Sequence, residues 1–251
     1  MIRTDLHTHT TFCDGKSTAE EMVRSAISLG MTCLGFSGHG YAPYDTDSCM
    51  PKEAVGAYLR EIARLKEKYA GQIELRCGVE QDYFSDEPTD AFEYVIGSVH
   101  YLRAPDGRYL CVDDTPECME AWVGTDFGGD WFAMCEAYYA LEADVVRKTG
   151  ADIIGHFDLV TKFNENGRFF DEADPRYVRA WQAAADALLP SGVPFEINTG
   201  AMSRGWRTSP YPAKPIRDYI RAKGGRLILS SDSHRADTLL YAFDRYEEET
   251  T

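Results

Sequence analysis

The sequence lacks long hydrophobic runs, a C-x-x-C pair and the segments of a secretory signal. No stretch comes near the roughly 18 consecutive apolar residues of a transmembrane helix, and the start MIRTDLHTHT has no basic and then hydrophobic segment. The seven cysteines are odd in number and scattered, which favours reduced thiols over a disulfide framework. These absences argue against a membrane-spanning or disulfide-rich secreted protein and predict a cytoplasmic one.

Basic side chains are also scarce, because 26 Lys and Arg face 41 Asp and Glu and the formal net charge is -15. This charge repels nucleic acid and anionic membrane surfaces, and bound cations would offset part of it. We expect a small-molecule ligand with no nucleic-acid or membrane partner, and the oligomeric state is left open. The length fits one domain over residues 1–251, since barrel-type α/β folds commonly have about 200 to 250 residues.

Apolar runs rich in β-formers alternate with segments of helical period along the chain. The predicted strands are 2–6, 34–37, 73–79, 94–99, 152–155, 194–197 and 226–230. The predicted helices are 17–30, with a capping box at Ser17, then 51–71, 134–148, 175–189 and 216–223. Residues 104–130 are predicted to be an irregular insertion. Strands that alternate with helices predict a parallel sheet with right-handed crossovers.

All six histidines fall at or just beyond the ends of the apolar runs. They are His7, His9, His39, His100, His156 and His234, and two further runs end in Glu80 and Glu196. Histidine is the commonest ligand for transition metals, and the carboxyl ends of barrel strands converge on one rim. The even spread of these groups over the strand ends favours a closed barrel over an open sheet, which gathers ligands near one switch point.

His7 and His9 are separated by one residue, which places both imidazoles on one face of an extended segment. Asp232 and His234 repeat this spacing after the last strand, and the carboxylate of Glu80 has two oxygens with which to bridge two cations. Each feature alone is also explained as a buried histidine or a solvated strand end. Together they predict a shared metal centre, because those separate explanations would all have to hold at once.

Six short motifs follow one another in a fixed order. They are D-L-H-T-H-T at 5–10 with Asp14, G-F-S-G-H at 35–39, G-V-E at 78–80, G-S-V-H at 97–100, G-H-F-D at 155–158 and S-D-S-H at 231–234. As an ordered set spanning nearly the whole chain, they resemble the polymerase-and-histidinol-phosphatase (PHP) superfamily. The stretches H-T-T-F-C-D-G-K-S-T, G-S-V-H-Y-L and G-H-F-D-L-V-T-K-F most resemble its histidinol-phosphate phosphatases.

The resemblance implies a distorted (β/α)7 barrel with three divalent ions, some mixture of zinc, iron and manganese. The first ion would take His7, His9, Glu80 and Asp232, the second Glu80, His100 and His156, and the third Asp14, His39 and His234. Some family members have histidine at the place of Asp14. Such a nitrogen and oxygen ligand set does not choose among the three metals.

The resemblance also implies hydrolysis of L-histidinol phosphate to L-histidinol and phosphate in histidine biosynthesis. A hydroxide bridging the two ions that share Glu80 would attack the phosphorus, and Asp232 or His234 would pass a proton to the leaving alkoxide. Two alternatives stay open: a phosphatase for another small phosphomonoester, such as a nucleotide or sugar phosphate, and a non-catalytic metal-binding module. Nuclease action ranks lower, because the acidic chain has no evident basic track.

Basic residues near the same rim are candidate phosphate ligands: Arg204, Lys162, Arg207 and Arg235. Any of them is equally explained as a solvated loop charge. Asn198 and Glu196 point one way by strand alternation and either orient ligands or bind the amino alcohol. The aromatic residues Trp122, Phe127, Trp131 and Phe132 either wall an imidazole-sized pocket or belong to the core.

Overall fold

The computed structural model describes residues 2–250. Its strands are β1 Thr4–Asp5, β2 Cys33–Phe36, β3 Glu74–Asp82, β4 Tyr94–Ser98, β5 Tyr101–Arg103, β6 Tyr109–Cys111, β7 Ile153–Ile154, β8 Phe195–Asn198 and β9 Leu227–Ser230. Seven of them form one sheet in the order β1-β2-β3-β4-β7-β8-β9, and all neighbours in it are parallel. The predicted strands and their parallel arrangement are confirmed, with ends that differ by a few residues.

The sheet is nearly closed into a barrel where β1 meets β9. Thr8 and Ser233 form a parallel bridge just beyond the two strands, and His9 N donates to Ser233 O at 2.8 Å. Asp5 joins the same strands from inside, because its carboxylate accepts hydrogen bonds from the backbone and the hydroxyl of Ser231. Burial raises the pKa of Asp5 to about 6. These bonds hold the first and last motifs together at the carboxyl end of the barrel.

The helices found within residues 2–250 cover the outside of the sheet or follow its strands. They are α1 Ala19–Ser28, α2 Val55–Lys68, α3 Pro116–Asp126, α4 Trp131–Glu142, α5 Val145–Thr149, α6 Pro175–Leu188, α7 Gly200–Ser203, α8 Lys214–Ala222 and α9 Phe243–Tyr246. The capping box lies one residue later than predicted: Thr18, not Ser17, caps α1 and exchanges hydrogen bonds with Glu21. No helix in this part of the chain has the length and apolar character needed to cross a membrane.

The segment predicted to be an irregular insertion contains regular structure, which corrects the prediction. Strands β5 and β6 pair as an antiparallel hairpin, and α3 follows with Thr115 as its cap and Pro116 in its first turn. The hairpin strands have three residues each, too few for a clear alternation in sequence. The predicted helix 134–148 is two helices, α4 and α5, separated at Ala143 and Asp144.

Tyr94 fills the middle of the barrel and fixes the strands that carry the first motifs. Its hydroxyl donates to Leu6 O at 2.5 Å and to Phe36 O at 3.1 Å. A Cβ at Gly35 would lie 2.4 Å from the Tyr94 hydroxyl, and a Cβ at Gly78 would lie 2.3 Å from the ring. The glycines of G-F-S-G-H and G-V-E are therefore required by the close approach of this buried ring.

Candidate metal centre

The six histidine side chains form one cluster at the carboxyl end of the sheet. Neighbouring ring centroids are separated by 5.1 Å for His7 and His9, 4.1 Å for His9 and His234, 4.3 Å for His9 and His39, 5.3 Å for His39 and His100, and 4.9 Å for His100 and His156. Each ring follows a different strand of the sheet, except that His7 and His9 both follow β1. The barrel thus brings together residues that lie up to 227 positions apart in the sequence (234 minus 7).

Glu80, on β3, lies at the centre of this cluster. Its Oε2 atom is 3.2 Å from His7 Nε2 and 3.4 Å from His9 Nε2. Its Oε1 atom is 2.9 Å from His156 Nε2 and 3.4 Å from His100 Nε2. The two oxygens therefore face different histidines, and Oε2 also lies 3.0 Å from Nδ1 of His39. A carboxylate that bridges two cations requires such a division.

Asp232 completes the group around the first two histidines. Its Oδ1 atom is 3.3 Å from His9 Nε2 and 3.7 Å from His7 Nε2. The backbone of Asp232 is left-handed, with φ 48°, which is uncommon for a residue with a side chain. Arg204 holds this conformation, because its guanidinium donates to Asp232 O and to Asp232 Oδ2, both at 3.0 Å.

Asp14, His39 and His234 form a third group nearer the surface. Asp14 Oδ2 is 3.1 Å from His234 Nε2, and Asp14 Oδ1 is 3.8 Å from His39 Nε2. The other ring nitrogen of His39, Nδ1, is 3.0 Å from Glu80 Oε2. His39 therefore lies between the third group and the bridging carboxylate, whereas the resemblance places it with the third ion alone.

The donor atoms of the cluster fit a cation. Among the residues that the structure describes, five buried atoms of this cluster have no hydrogen-bond partner: His7 Nε2, His9 Nε2, Asp14 Oδ1, Glu80 Oε2 and His156 Nδ1. A buried polar group without a partner costs about 1–3 kcal/mol, so their convergence requires a ligand that accepts lone pairs. Three groups of possible ligand residues each have donor atoms within 4.8 Å of one another: His9, Asp14, His39 and His234; His7, His9 and Asp232; and His39, Glu80 and His100. Nitrogen with oxygen ligands suits zinc, iron or manganese.

The titratable groups of the cluster differ in protonation state. Burial opposes protonation of His7, His39 and His100, but the charge of Glu80 and of neighbouring carboxylates outweighs it and raises the pKa of all three, so these imidazoles must release a proton when a cation binds. Burial, together with the charges of His234 and His39, lowers the pKa of His9 to about 3, so its imidazole is neutral. Burial opposes ionisation of Glu80, but the charges of His7 and His39 outweigh it and hold the pKa of Glu80 well below its usual value. The cluster therefore presents a neutral imidazole and a carboxylate at neutral pH, the forms in which these groups bind metal.

Glu196 orients two of the histidines from behind. Its Oε1 atom is 2.7 Å from His7 Nδ1, and its Oε2 atom accepts hydrogen bonds from His156 N at 3.0 Å and from Asn198 Nδ2 at 3.1 Å. The sequence left open whether Glu196 and Asn198 orient ligands or bind the amino alcohol. Both side chains are buried, and Asn198 Oδ1 accepts from Gly200 N, so the structure contradicts the prediction that Asn198 contacts substrate.

Ser98 belongs to the site, although sequence reasoning did not select it. Its hydroxyl donates to Glu80 Oε1 at 2.6 Å. A Cβ at Gly155 would lie 2.3 Å from Ser98 Oγ, so the glycine before His156 leaves the space that this hydroxyl occupies. The signal in the sequence is the small residue in each of the G-S-V-H and G-H-F-D motifs, which leaves room for a close approach but does not name the group that makes it.

An open cleft of about 1100 Å³ leads to the histidine cluster. Three of the predicted phosphate contacts line it: Arg204, Lys162 and Arg235. Lys162 Nζ donates to Asp113 O at 2.6 Å, and Arg235 pairs with Asp237 at 2.8 Å. The cleft is also lined by Tyr101 and by Asp45, Asp47, Asp113 and Asp114, which sequence reasoning did not select.

Arg207 lies away from the cleft, which contradicts its predicted contact with phosphate. Its side chain is 5% exposed and donates to Thr161 O at 2.6 Å, and it is 3.4 Å from Glu165 and 3.7 Å from Glu172. The four aromatic residues considered as a pocket wall lie in or against the hydrophobic core, where Trp131 stacks on Phe169: Trp122, Phe127, Trp131 and Phe132. Of the two interpretations of these aromatic residues, the structure therefore favours the core.

Comparisons with known proteins agree with the site. The PHP domain family model matches residues 5–200. A relative from Deinococcus radiodurans, named probable histidinol-phosphatase, is 32% identical, with 95% of this chain and 89% of the relative covered. The histidinol-phosphatase of Bacillus subtilis is 28% identical over 99% of both chains.

Two solved structures share the fold. A candidate histidinol phosphatase from Listeria monocytogenes gives a TM-score of 0.86 at 20% identity, covering 97% of this chain and 99% of that one. Histidinol phosphate phosphatase from Lactococcus lactis, solved with zinc, L-histidinol and phosphate, gives a TM-score of 0.67 at 19% identity, covering 98% and 92%. The shared barrel extends over nearly the whole length of all three chains.

Proposed function

Because the chain belongs to the PHP domain family, we propose that it is a phosphoric monoester hydrolase that converts L-histidinol phosphate to L-histidinol and phosphate. The observation that carries the proposal is the set of unpaired nitrogen and oxygen atoms that converge at the base of the cleft. The open cleft that leads to these atoms gives a small ester access to them, which a non-catalytic metal-binding module does not need. We also propose one domain, 1–251, in the cytoplasm.

We propose that the site binds three divalent ions. The first would be held by His7, His9, Glu80 and Asp232, the second by Glu80, His100 and His156, and the third by Asp14, His39 and His234. The division of Glu80 between two pairs of histidines supports the first two groups. Zinc, iron and manganese all suit these donors, and zinc is the metal in the Lactococcus lactis structure.

Divalent ions, when bound, lower the pKa of water toward neutrality and screen the charge of the phosphate dianion. The task of the protein is then to position the ester and supply a proton. Arg204 lines the cleft with its guanidinium already held on Asp232, so its remaining N–H groups are directed to the phosphate. Lys162 and Arg235 line the same cleft and add positive charge.

The proton for the leaving alkoxide comes from Asp232 or His234, which both line the cleft. Burial opposes ionisation of Asp232, but the charges of Arg204 and His7 outweigh it and hold the pKa of Asp232 well below its usual value. A carboxylate that holds its proton so weakly is rarely protonated at neutral pH. This argues against Asp232 and leaves His234, which would act through a water molecule because its Nε2 atom would bind the third ion.

Acidic residues in the cleft favour histidinol phosphate over the alternative esters. Asp45, Asp47, Asp113 and Asp114 line the cleft together with the histidines. Their carboxylates attract the ammonium and imidazolium groups of histidinol, positive charges that a nucleoside monophosphate does not have at neutral pH. A sugar phosphate has no positive charge with which to use them.

The experiment is an assay of phosphate release. Purified protein supplied with manganese is tested on a panel that contains histidinol phosphate, nucleoside monophosphates and sugar phosphates. We expect histidinol phosphate to have the highest kcat/KM, and equal values across the panel would refute the substrate assignment. Metal analysis of His100→Ala beside the wild type tests the second ion, because unchanged metal content would contradict its proposed ligands.

A further inference from the structure

Asp82, two residues after Glu80 on β3, holds His100 from behind. Its Oδ2 atom accepts a hydrogen bond from His100 N at 3.0 Å and lies 3.3 Å from His100 Nδ1. Its Oδ1 atom accepts hydrogen bonds from Phe84 N at 2.9 Å and from the hydroxyl of Tyr44 at 2.5 Å. The side chain is 7% exposed, so both oxygens are satisfied within the protein.

This contact determines which ring nitrogen of His100 is free. Asp82 Oδ2 already accepts from His100 N, and the ring nitrogen Nδ1 of the same residue lies 3.3 Å from this oxygen, a placement that favours a proton on Nδ1. The other nitrogen, Nε2, then has its lone pair available and lies 3.4 Å from Glu80 Oε1. Carboxylates behind metal-binding histidines commonly fix the tautomer and ring orientation in this way.

Tyr44 is itself held by the hairpin β5–β6. Its ring stacks on Tyr109, with centroids 3.9 Å apart and planes 15° apart, and meets the edge of Tyr101 at 5.1 Å. Tyr101 and Tyr109 lie on opposite strands of the hairpin, where they pair with Cys111 and Arg103, and Tyr101 lines the cleft. The position of the Tyr44 hydroxyl, and with it the second oxygen of Asp82, is therefore set by the aromatic wall of the cleft.

The two sides of the centre are held by different carboxylates. His7, which faces Glu80 Oε2, is oriented by Glu196, whereas His100, which faces Glu80 Oε1, is oriented by Asp82. The other histidine at Oε1, His156, has no hydrogen-bond partner for Nδ1 among residues 2–250. Glu196 holds His156 through its backbone N–H, so on the Oε1 side Asp82 is the carboxylate that contacts a ring nitrogen on the far side from Glu80.

We propose that Asp82 and Tyr44 are positioning residues that direct Nε2 of His100 toward the metal centre. The proposal rests on the proposed function only in taking His100 as a metal ligand. It adds two residues to the site and links the hairpin wall of the cleft to one of the ligands.

The first test measures zinc affinity of the purified protein by competition with a chromophoric chelator. Asp82→Asn replaces one carboxylate oxygen with an NH2 group that faces the N–H and O–H donors around it, and we expect about 10- to 100-fold weaker zinc binding. Tyr44→Phe removes one hydrogen bond but keeps the stacked ring, and we expect about 3- to 10-fold weaker binding. The matched control is Tyr83→Phe, which removes a tyrosine bond to Asp144 at 3.2 Å and should change affinity by less than about twofold.

The second test records the ring N–H signals of His100 by NMR in zinc-loaded, 15N-labelled protein. We expect a proton on Nδ1 that exchanges slowly with solvent in the wild type and in Tyr83→Phe. It should exchange faster in Tyr44→Phe and be lost in Asp82→Asn. A general loss of stability would not produce this order, and thermal unfolding of each variant checks that it is folded.

A proton on Nε2 of His100 in the wild type would overturn the proposal, as would wild-type affinity and exchange in Tyr44→Phe. Both results are obtained even if Asp82→Asn does not fold. Neither measurement uses substrate, so the outcome is independent of whether the protein hydrolyses histidinol phosphate.

Discussion

Replacement of Glu196 by glutamine should weaken metal binding although the side chain keeps its size. Three donors meet the carboxylate: His7 Nδ1 at Oε1, and His156 N and Asn198 Nδ2 at Oε2. An amide offers one oxygen and one NH2 group. If the NH2 group replaces Oε1, His7 must accept at Nδ1, and its proton moves to Nε2, the atom that faces Glu80. If the NH2 group replaces Oε2, it opposes two N–H donors.

The cost of either arrangement follows from the buried hydrogen bonds. A buried group left without its partner costs about 1–3 kcal/mol. Loss of the carboxylate behind a metal-bound histidine lowers metal affinity about 10- to 100-fold, equivalent to about 1.4–2.7 kcal/mol. The two ranges agree, so we expect Glu196→Gln to bind zinc about 10- to 100-fold more weakly than the wild type.

The assay is competition for zinc with a chromophoric chelator, and the matched control is Glu142→Gln. Glu142 is also buried, and its Oε1 accepts from the Tyr138 hydroxyl at 2.8 Å. Burial holds the pKa of Glu142 well above its usual value, so the side chain is protonated at neutral pH and an amide replaces it closely. The control should retain its zinc affinity. Wild-type affinity in Glu196→Gln as well would refute the conclusion that Glu196 fixes the tautomer of His7.

Three further predictions concern single side chains. Ser98→Ala removes the hydrogen bond to Glu80 Oε1 and should lower zinc affinity about tenfold in the same assay; no change would contradict the role of Ser98 in positioning Glu80. Arg204→Lys keeps the charge but loses the two hydrogen bonds to Asp232, so kcat/KM for histidinol phosphate should fall about 10- to 100-fold. The circular dichroism spectrum should be unchanged. Full activity would argue against the role of Arg204 in holding Asp232 and contacting phosphate. Burial raises the pKa of Asp158 to about 7, above its value in the unfolded chain, so the protonated form is favoured in the fold and stability is lost as pH rises from about 4 to about 7. The free energy of unfolding of metal-free protein in urea should therefore rise in Asp158→Asn relative to the wild type as pH increases from 4 to 8, by up to the order of 4 kcal/mol. A difference between the two proteins that stays constant with pH would contradict this prediction.

The sequence was sufficient to predict the barrel and the histidine cluster for a physical reason. Strand ends in a parallel barrel converge whatever the sequence of the loops, so polar groups that follow apolar runs must meet at one rim. The hairpin β5–β6 was missed because its strands are too short to show alternation. Its residue Tyr101, which directly follows His100, lines the cleft, whereas the four aromatic residues considered from the sequence do not.

The substrate contacts were harder to predict, as Arg204 and Arg207 illustrate. The two residues are three positions apart in a segment with no clear period in the sequence. In the structure, Arg204 caps the short helix α7 and turns back to Asp232, whereas Arg207 lies beyond the turn and is buried against Thr161 and Glu165. The path of the backbone decides whether a loop arginine lines the cleft or is buried away from it. The residue type does not determine that path.

The residues that orient the ligands follow from the period of a strand combined with its register. Glu80 and Asp82 are two residues apart on β3 and therefore point to the same face, so one strand supplies a ligand and the carboxylate that holds the next ligand. Asp82 pairs in register with Ser98 on β4, two residues before His100, and Ser98 in turn holds Glu80. Each of the two adjacent strands thus holds a ligand of the other. This arrangement depends on the register between β3 and β4, which neither stretch of sequence shows by itself. Changes at Asp82 or Ser98 should consequently lower metal affinity while the barrel, whose register rests on backbone bonds, stays folded.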